Sequence, residues 1–220
     1  MPRMTKANFI KIKKFFSQFP TKKFTKGQVI LKPGDKFENI YFIKSGFVRA
    51  YTVTPKGNNI INLFKPLFYF SIMHFTTQHR NDFFFEALTP VEVNIIPFSE
   101  FQKFVDKDKN INLSSIMELF FSSLMNYFVN QGNIICGCAQ NKVASILLQL
   151  THDHGDLKNG KLVINFPATH RIIASIIGLT RETTSVQMSK LQKMGVISTK
   201  RTQFVVNDLE KLKKLAQVSE

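Results

Sequence analysis

Tryptophan is absent from the 220 residues, and cysteine occurs only twice, at 136 and 138. Two thiols this close together do not make a disulfide framework, so a reducing, cytoplasmic setting is expected. They also fall short of the four thiolates that an iron–sulfur cluster usually takes. Acidic residues are scarce, 15 Asp and Glu against 30 Lys and Arg, for a formal charge of +15. None lies in the first 26 residues, which hold eight Lys and Arg. No long hydrophobic run is present. The most apolar stretch, 111–135, is interrupted by Ser114, Ser115, Glu118, Asn126, Asn130 and Gln131, which excludes a membrane span of roughly 20 apolar residues. The N-terminus lacks the apolar core of a signal peptide. Histidine is sparse as well. The strand-rich region offers only His74 and His79, with no His-x-His, which argues against a metal-dependent barrel enzyme.

Phenylalanine is abundant, with 23 copies, and hydrophobic residues make up 44% of the chain. That is enough for a packed core and too much for disorder. Residues 27–138 are close to neutral, while 139–220 carry twelve Lys and Arg against six acids. Basic ends around a neutral middle suit a polyanion such as nucleic acid, although solubility charge would look the same.

Along the chain the hydrophobic period changes. Phe9, Ile12, Phe16 and Phe19 fall at helical spacing among lysines, which reads as a short helix over 5–19 capping a barrel with its apolar face. From 24 to 98 the pattern is of short strands, at 28–31, 39–43, 46–53, 60–64, 83–88 and 91–96. Turn signals at Pro33-Gly34-Asp35 and Thr54-Pro55-Lys56-Gly57 separate them. This predicts a β-barrel or sandwich. A short helix over 99–105 follows, then a long one from about 111. There Leu113, Met117, Phe120, Leu124, Tyr127, Gln131 and Ile134 repeat at alternating spacings of four and three, an a/d seam. It is read as a dimerisation helix in preference to one buried on its own domain. Gly132 and Gly137 weaken helix propensity and mark a hinge. A further helix covers 139–152, and 154–160 reads as a polar, turn-rich connection.

Cys136, Cys138, His152 and His154 superficially resemble a four-ligand metal site. A helix of about 13 residues would hold the pairs ~20 Å apart, so no metal and no cofactor is expected. A thiol redox switch at the hinge stays open beside incidental thiols.

The most informative stretch runs from Thr169 to Gly195. Thr169 can cap a helix whose buried side would be Ile172, Ile173 and Ile176, with Ala174 small enough for a close helix crossing. Gly178 sits where the chain must turn sharply. Thr180 then caps a second helix, with Val186 or Met188, Leu191 and Met194 as its buried positions. Arg181, Glu182, Thr183 and Ser185 occupy the first turns. In a helix-turn-helix those positions reach base edges in the major groove. Arg181 can bond bidentately to guanine, and Glu182 can accept from cytosine. Thr169, His170, Lys190 and Lys193 suit phosphate contacts, which position without specifying. Residues 196–206 read as a hairpin, or wing, with Lys200 and Arg201 at its basic tip. A closing helix spans 208–216.

The whole chain, roughly 5–215, resembles the Crp/Fnr family of bacterial regulators. Thr180-Arg-Glu-Thr-Thr-Ser185 is similar to that family's recognition-helix pattern. Gly27-Gln-Val-Ile-Leu-Lys-Pro-Gly34-Asp35 and Ile40-Tyr-Phe-Ile-Lys-Ser-Gly46 resemble the opening of its cyclic-nucleotide-binding barrel. The resemblance implies an α+β chain with a jelly-roll-like sensor barrel over 1–110, a dimerisation helix and hinge over 111–138, and a winged helix-turn-helix over 139–220. It implies a homodimer that binds double-stranded DNA and contacts RNA polymerase, with Leu113, Met117, Phe120, Leu124 and Tyr127 at the dimer interface.

Two departures stand out. The family pattern ends in Arg where this chain has Val186, which cannot hydrogen-bond a base but can touch a thymine methyl, so the target should differ from the family's usual site. By spacing, Ser71-Ile72 and Asn81-Asp82 replace the Gly-Glu and Arg-Ser of cyclic-nucleotide binders. Asp82 would repel a phosphate, while Arg80, next to Asn81, would restore a cation on a one-residue slip. Cyclic AMP is not the expected effector, and the effector stays unknown. Phe64, Phe68, Phe70, Phe75, Phe83, Phe84 and Phe85 suit a closed core or an apolar pocket, with the closed core favoured. A winged module that docks a protein instead of DNA is the alternative.

Overall fold

In a computed structural model, residues 6–55, 57–71, 81–107, 137–158, 160–200 and 203–216 are described. The chain divides into two compact units, Met1–Ser123 and Leu124–Glu220. The expected dimerisation helix, with Leu113, Met117, Phe120, Leu124 and Tyr127, lies outside the described residues.

In the first unit α1 (Lys6–Phe16) precedes eight strands among the described residues: β1 (Thr21–Phe24), β2 (Val29–Leu31), β3 (Asn39–Ser45), β4 (Val48–Thr54), β5 (Gly57–Phe64), β6 (Tyr69–Phe70), β7 (Phe84–Ala87) and β8 (Val91–Pro97). α2 (Phe98–Lys107) follows. The strands form two antiparallel sheets, ordered β1-β8-β3-β6 and β2-β7-β4-β5. β1 and β6 escaped the sequence reading.

β3 explains how the layers stack. Its run Ile40-Tyr-Phe-Ile43 is buried throughout, because both faces of its sheet are covered. Tyr41 and Ile43 join Phe24, Leu31, Val48, Phe70, Phe85 and Val93 in one cluster. Ile40 and Phe42 join Ile12, Phe16, Ile96 and Phe101 in the other, beneath α1 and α2. The two helices are fastened by aromatic contact: Phe15 stacks on Phe104 at 4.0 Å, and Phe16 on Phe101 at 5.9 Å. The tight turn between β3 and β4 needs Gly46, whose φ is +84° and where a Cβ would run into the carbonyl of Pro90.

The phenylalanines divide by face. Phe64, Phe70 and Phe85 fill the space between the sheets, with Phe70 and Phe85 stacked at 4.9 Å. Phe83 packs against that cluster. Phe84 stacks instead on Tyr51 at 5.2 Å, and Phe68 is 38% exposed. Phe75 lies outside the described residues. At the position where the resemblance puts a phosphate-binding arginine, Asn81 is 1% exposed and acts as a staple. Its amide donates to the carbonyls of Lys32 and Phe83 and accepts from the N–H of Phe83. Ser71, at φ +70°, donates its hydroxyl to the carbonyl of Asn39. Both side chains are committed to backbone groups.

The second unit contains α3 (Ala139–His154), β9 (Gly155–Lys158), β10 (Lys161–Ile164), α4 (His170–Ile177), α5 (Arg181–Lys193), β11 (Ile197–Lys200), β12 (Gln203–Val206) and α6 (Leu209–Ala216). Of the stretch 154–160, expected as a polar connection, His154 closes α3 and Gly155–Lys158 forms β9, which pairs with β10. This hairpin continues the wing into one sheet of order β11-β12-β10-β9. α3 and α6 are tied by Asn141 and Ser145, which donate to the carbonyls of Leu215 and Ala216. Ser145 and α3's Val143, Ile146, Leu147 and Leu150 are buried.

Candidate nucleic-acid interface

The site is built on two helix starts. At the first, Thr169 accepts from the N–H of Ile172 at 3.2 Å and caps α4. The helix ends at Gly178, whose φ of 66° and ψ of 27° place it in the left-handed region, with its N–H donating to Ala174. The buried face is Ile173, Ala174 and Ile177. The expected set of Ile172, Ile173 and Ile176 is corrected by one position, since Ile172 and Ile176 are only half-buried.

At the second start, Thr180 accepts from the N–H of Thr183 at 3.1 Å. The two threonine hydroxyls lie 2.9 Å apart, so Thr183 supports the cap from a half-buried position. α5 buries Thr184, Met188 and Leu191. Of the expected buried positions, Met188 and Leu191 hold. Met194 does not: it closes the helix at 38% exposure with its sulfur 3.6 Å from the Gln140 amide. Val186 points outward at 54% exposure. Arg181 and Glu182 are exposed and Ser185 half-buried, while Lys190 and Lys193 are exposed in the last turn.

Thr184 is fully buried, and its hydroxyl has no hydrogen-bond partner among the described residues. A buried unsatisfied hydroxyl costs about 1–3 kcal/mol. Thr184→Val keeps the shape and removes the hydroxyl. It is expected to leave stability unchanged or raise it by about 1 kcal/mol in urea unfolding. A comparable loss would show that the hydroxyl is satisfied.

Thr169, His170, Arg171 and Arg181 line one shallow depression. Arg171, which the sequence reading passed over, brings a second guanidinium to it. Its basic character was visible beside His170, but not that it lines the same depression as Arg181. The His170 ring lies parallel to Phe204 of the wing, with centroids 6.0 Å apart. Burial, and then the charge of Arg181, hold the imidazole below its ordinary value of 6.5. The unfolded chain therefore takes up a proton, as pH falls through that ordinary value, that the folded chain resists. The second unit is expected to lose stability as pH drops from about 7 to 5, and His170→Gln to flatten that slope in thermal unfolding scans. An unchanged slope would refute this.

The wing register pairs Ile197 with Val206 and closes at Lys200 opposite Gln203. Gln192 of α5 donates to Thr199 of β11 at 2.8 Å, which fixes the wing against the helix. Arg201 and the Lys200 side chain lie outside the described residues. Cys138 is exposed at the start of α3, where its N–H donates to the Asn141 side chain. Cys136 lies outside the described residues. His152 bonds Asp153, and His154 stacks on Phe166. Among the described residues no three metal-ligating side chains converge, and no helix is long and apolar enough to cross a membrane.

Residues 141–215 match the family model of the Crp-like helix-turn-helix domain, and residues 21–108 that of the cyclic nucleotide-binding domain. The chain is 28% identical over 195 residues to the anaerobic regulatory protein of Haemophilus influenzae, covering 85% of this chain and 72% of that one. Among solved structures, FixK2 from Bradyrhizobium japonicum is similar with a TM-score of 0.79 at 20% identity, over 92% of this chain and 99% of that one. A transcriptional regulator of the CRP/FNR family from Thermus thermophilus is similar with a TM-score of 0.66 at 25% identity, over 90% and 98%. With both halves matched in this order, the chain belongs to the Crp/Fnr family of transcription regulators, DNA-binding proteins that join a cyclic-nucleotide-binding-type barrel to a helix-turn-helix.

Proposed function

We propose that the chain works in the cytoplasm as a homodimer that places two copies of α5 in major grooves about one helical turn apart. Arg181, Glu182 and Ser185 would meet base edges, with Thr183 behind them. Thr169, His170, Arg171, Lys190, Lys193, Lys200 and Arg201 would hold phosphates. Dimerisation would use the seam of Leu113, Met117, Phe120, Leu124 and Tyr127. RNA polymerase is the partner at the promoter by family resemblance. The barrel would not take cyclic AMP, because Asn81 and Ser71 are already engaged with backbone and Asp82, next to Asn81, is exposed.

The observation that carries this reading is the exposed, capped first turn of α5. Thr180 satisfies its own helix start, and Arg181 and Glu182 stand exposed just after it. A titration with salt tests it. Replacing six to ten phosphate counterions makes affinity fall by about 10³–10⁵ between 50 and 200 mM salt. A protein-docking module would show no such dependence on a duplex.

A further inference from the structure

α5 carries one large apolar side chain on its outward face. The helix buries Thr184, Met188 and Leu191. At ~100° per residue, the direction opposite that stripe is held by Glu182, Val186, Ser189 and Lys193, all exposed. Val186 stands at the pole of the helix, one turn beyond Glu182 and on the same strip. Its branched Cβ leaves little rotamer freedom, so its methyl groups are held outward. A single exposed valine is ordinary on a protein surface. This one occupies the centre of the face that enters the groove, where an unmatched apolar group would displace water from polar base edges and return nothing.

Valine neither donates nor accepts a hydrogen bond. On the major-groove edge of the base pairs, the apolar feature is the C5-methyl of thymine. We propose that Val186 is a specificity-determining residue that reads a thymine C5-methyl by apolar contact. The proposal rests on α5 being the helix that reads DNA. Because Glu182 lies one turn earlier on the same strip, the thymine belongs to the same half-site as the base pair that Glu182 meets. Val186 then discriminates by shape and apolarity where Arg181 and Glu182 discriminate by hydrogen bonding.

Replacing thymine by deoxyuridine deletes that methyl and preserves every hydrogen-bonding group. The test uses the full chain and duplexes selected from a random library, with each thymine of one half-site changed singly to deoxyuridine. One position is expected to weaken binding about three- to fivefold, the size of one buried methyl-sized contact. Val186→Ala should be insensitive to that same change. Val186 is 54% exposed and lies outside the buried stripe, so the variant is expected to stay folded, and its binding to scrambled duplex checks this. If the wild type tolerates uracil at every thymine while still preferring the selected duplex to a scrambled one, the proposal falls and the DNA-reading role of α5 stands. If Val186→Ala keeps the wild-type sensitivity, another residue reads the methyl and the proposal also falls. If no duplex is preferred at all, both fail together.

Discussion

Arg181→Ala is expected to cut most of the preference for a selected duplex over a scrambled one while leaving the oligomeric state unchanged. Arg181 stands at the first position of α5, exposed, after a cap that Thr180 completes without it. A bidentate guanidinium–guanine contact is worth about 1–3 kcal/mol of discrimination, and two half-sites double it. The specificity ratio should therefore fall about 30-fold or more. Binding to scrambled duplex should fall far less, because the remaining cations still meet phosphates. Arg181→Lys separates charge from geometry. It keeps the cation and loses the planar fork, so it should retain scrambled-duplex affinity and lose site preference. The variant has a second readout. Arg181 contributes to holding His170 low, so in Arg181→Ala the imidazole should titrate closer to its ordinary value, followed by proton NMR. Full site preference in Arg181→Ala would remove this residue from the reading face.

Phe16→Ala should be the most damaging single truncation in the sensor unit. The ring is fully buried and lies 4.9 Å from Phe42, 5.9 Å from Phe101 and 6.0 Å from Tyr69. It touches both the β1-β8-β3-β6 sheet and α2 from α1. Removing a buried phenylalanine ring costs about 3–5 kcal/mol through lost transfer energy and the cavity left behind. Urea unfolding followed through the first unit should show that loss. Ile10, at 63% exposure on the same helix, is the control, and its replacement by Ala should cost well under 1 kcal/mol. Equal effects at the two positions would mean that α1 is not docked through Phe16.

The interface was more legible in the sequence than the sensor was. Thr169, Gly178 and Thr180 are local signals: a hydroxyl that caps, a residue free to take positive φ, a second hydroxyl that caps. Each is decided within four residues, and each stands where it was expected. The phase of α4 was not legible, because Ile-Ile-Ala-Ser-Ile-Ile offers an isoleucine at either of two adjacent faces. Only packing selects Ile173 and Ile177. Likewise Val186 and Met188 were equal candidates for the buried side of α5 until the stripe through Thr184 and Leu191 was seen.

The missed strands have their own reason. β1 reads Thr-Lys-Lys-Phe with three exposed residues and exists through pairing with β8. β6 is two residues held to Tyr41 and Phe42 of β3. Strand order comes from such long-range pairing, which hydrophobic period does not record. The hairpin β9–β10 was hidden by its Asp, Lys, Asn and Gly content, which is turn chemistry with a 73% exposed Leu157 in place of an alternating face. Asn81 looked like a missing cation in the sequence, and the structure shows what replaces it: a side chain that stitches three backbone groups together.

The central claim is that the polar first turn of α5 lies against base edges. Protection of guanine N7 from dimethyl sulfate, measured on a selected duplex with the full chain bound, reports directly on that edge in the major groove. The expected pattern is a protected guanine in each of two half-sites about one helical turn apart, with both protections lost in Arg181→Ala. Guanines that stay fully reactive while the duplex is saturated with protein would contradict it.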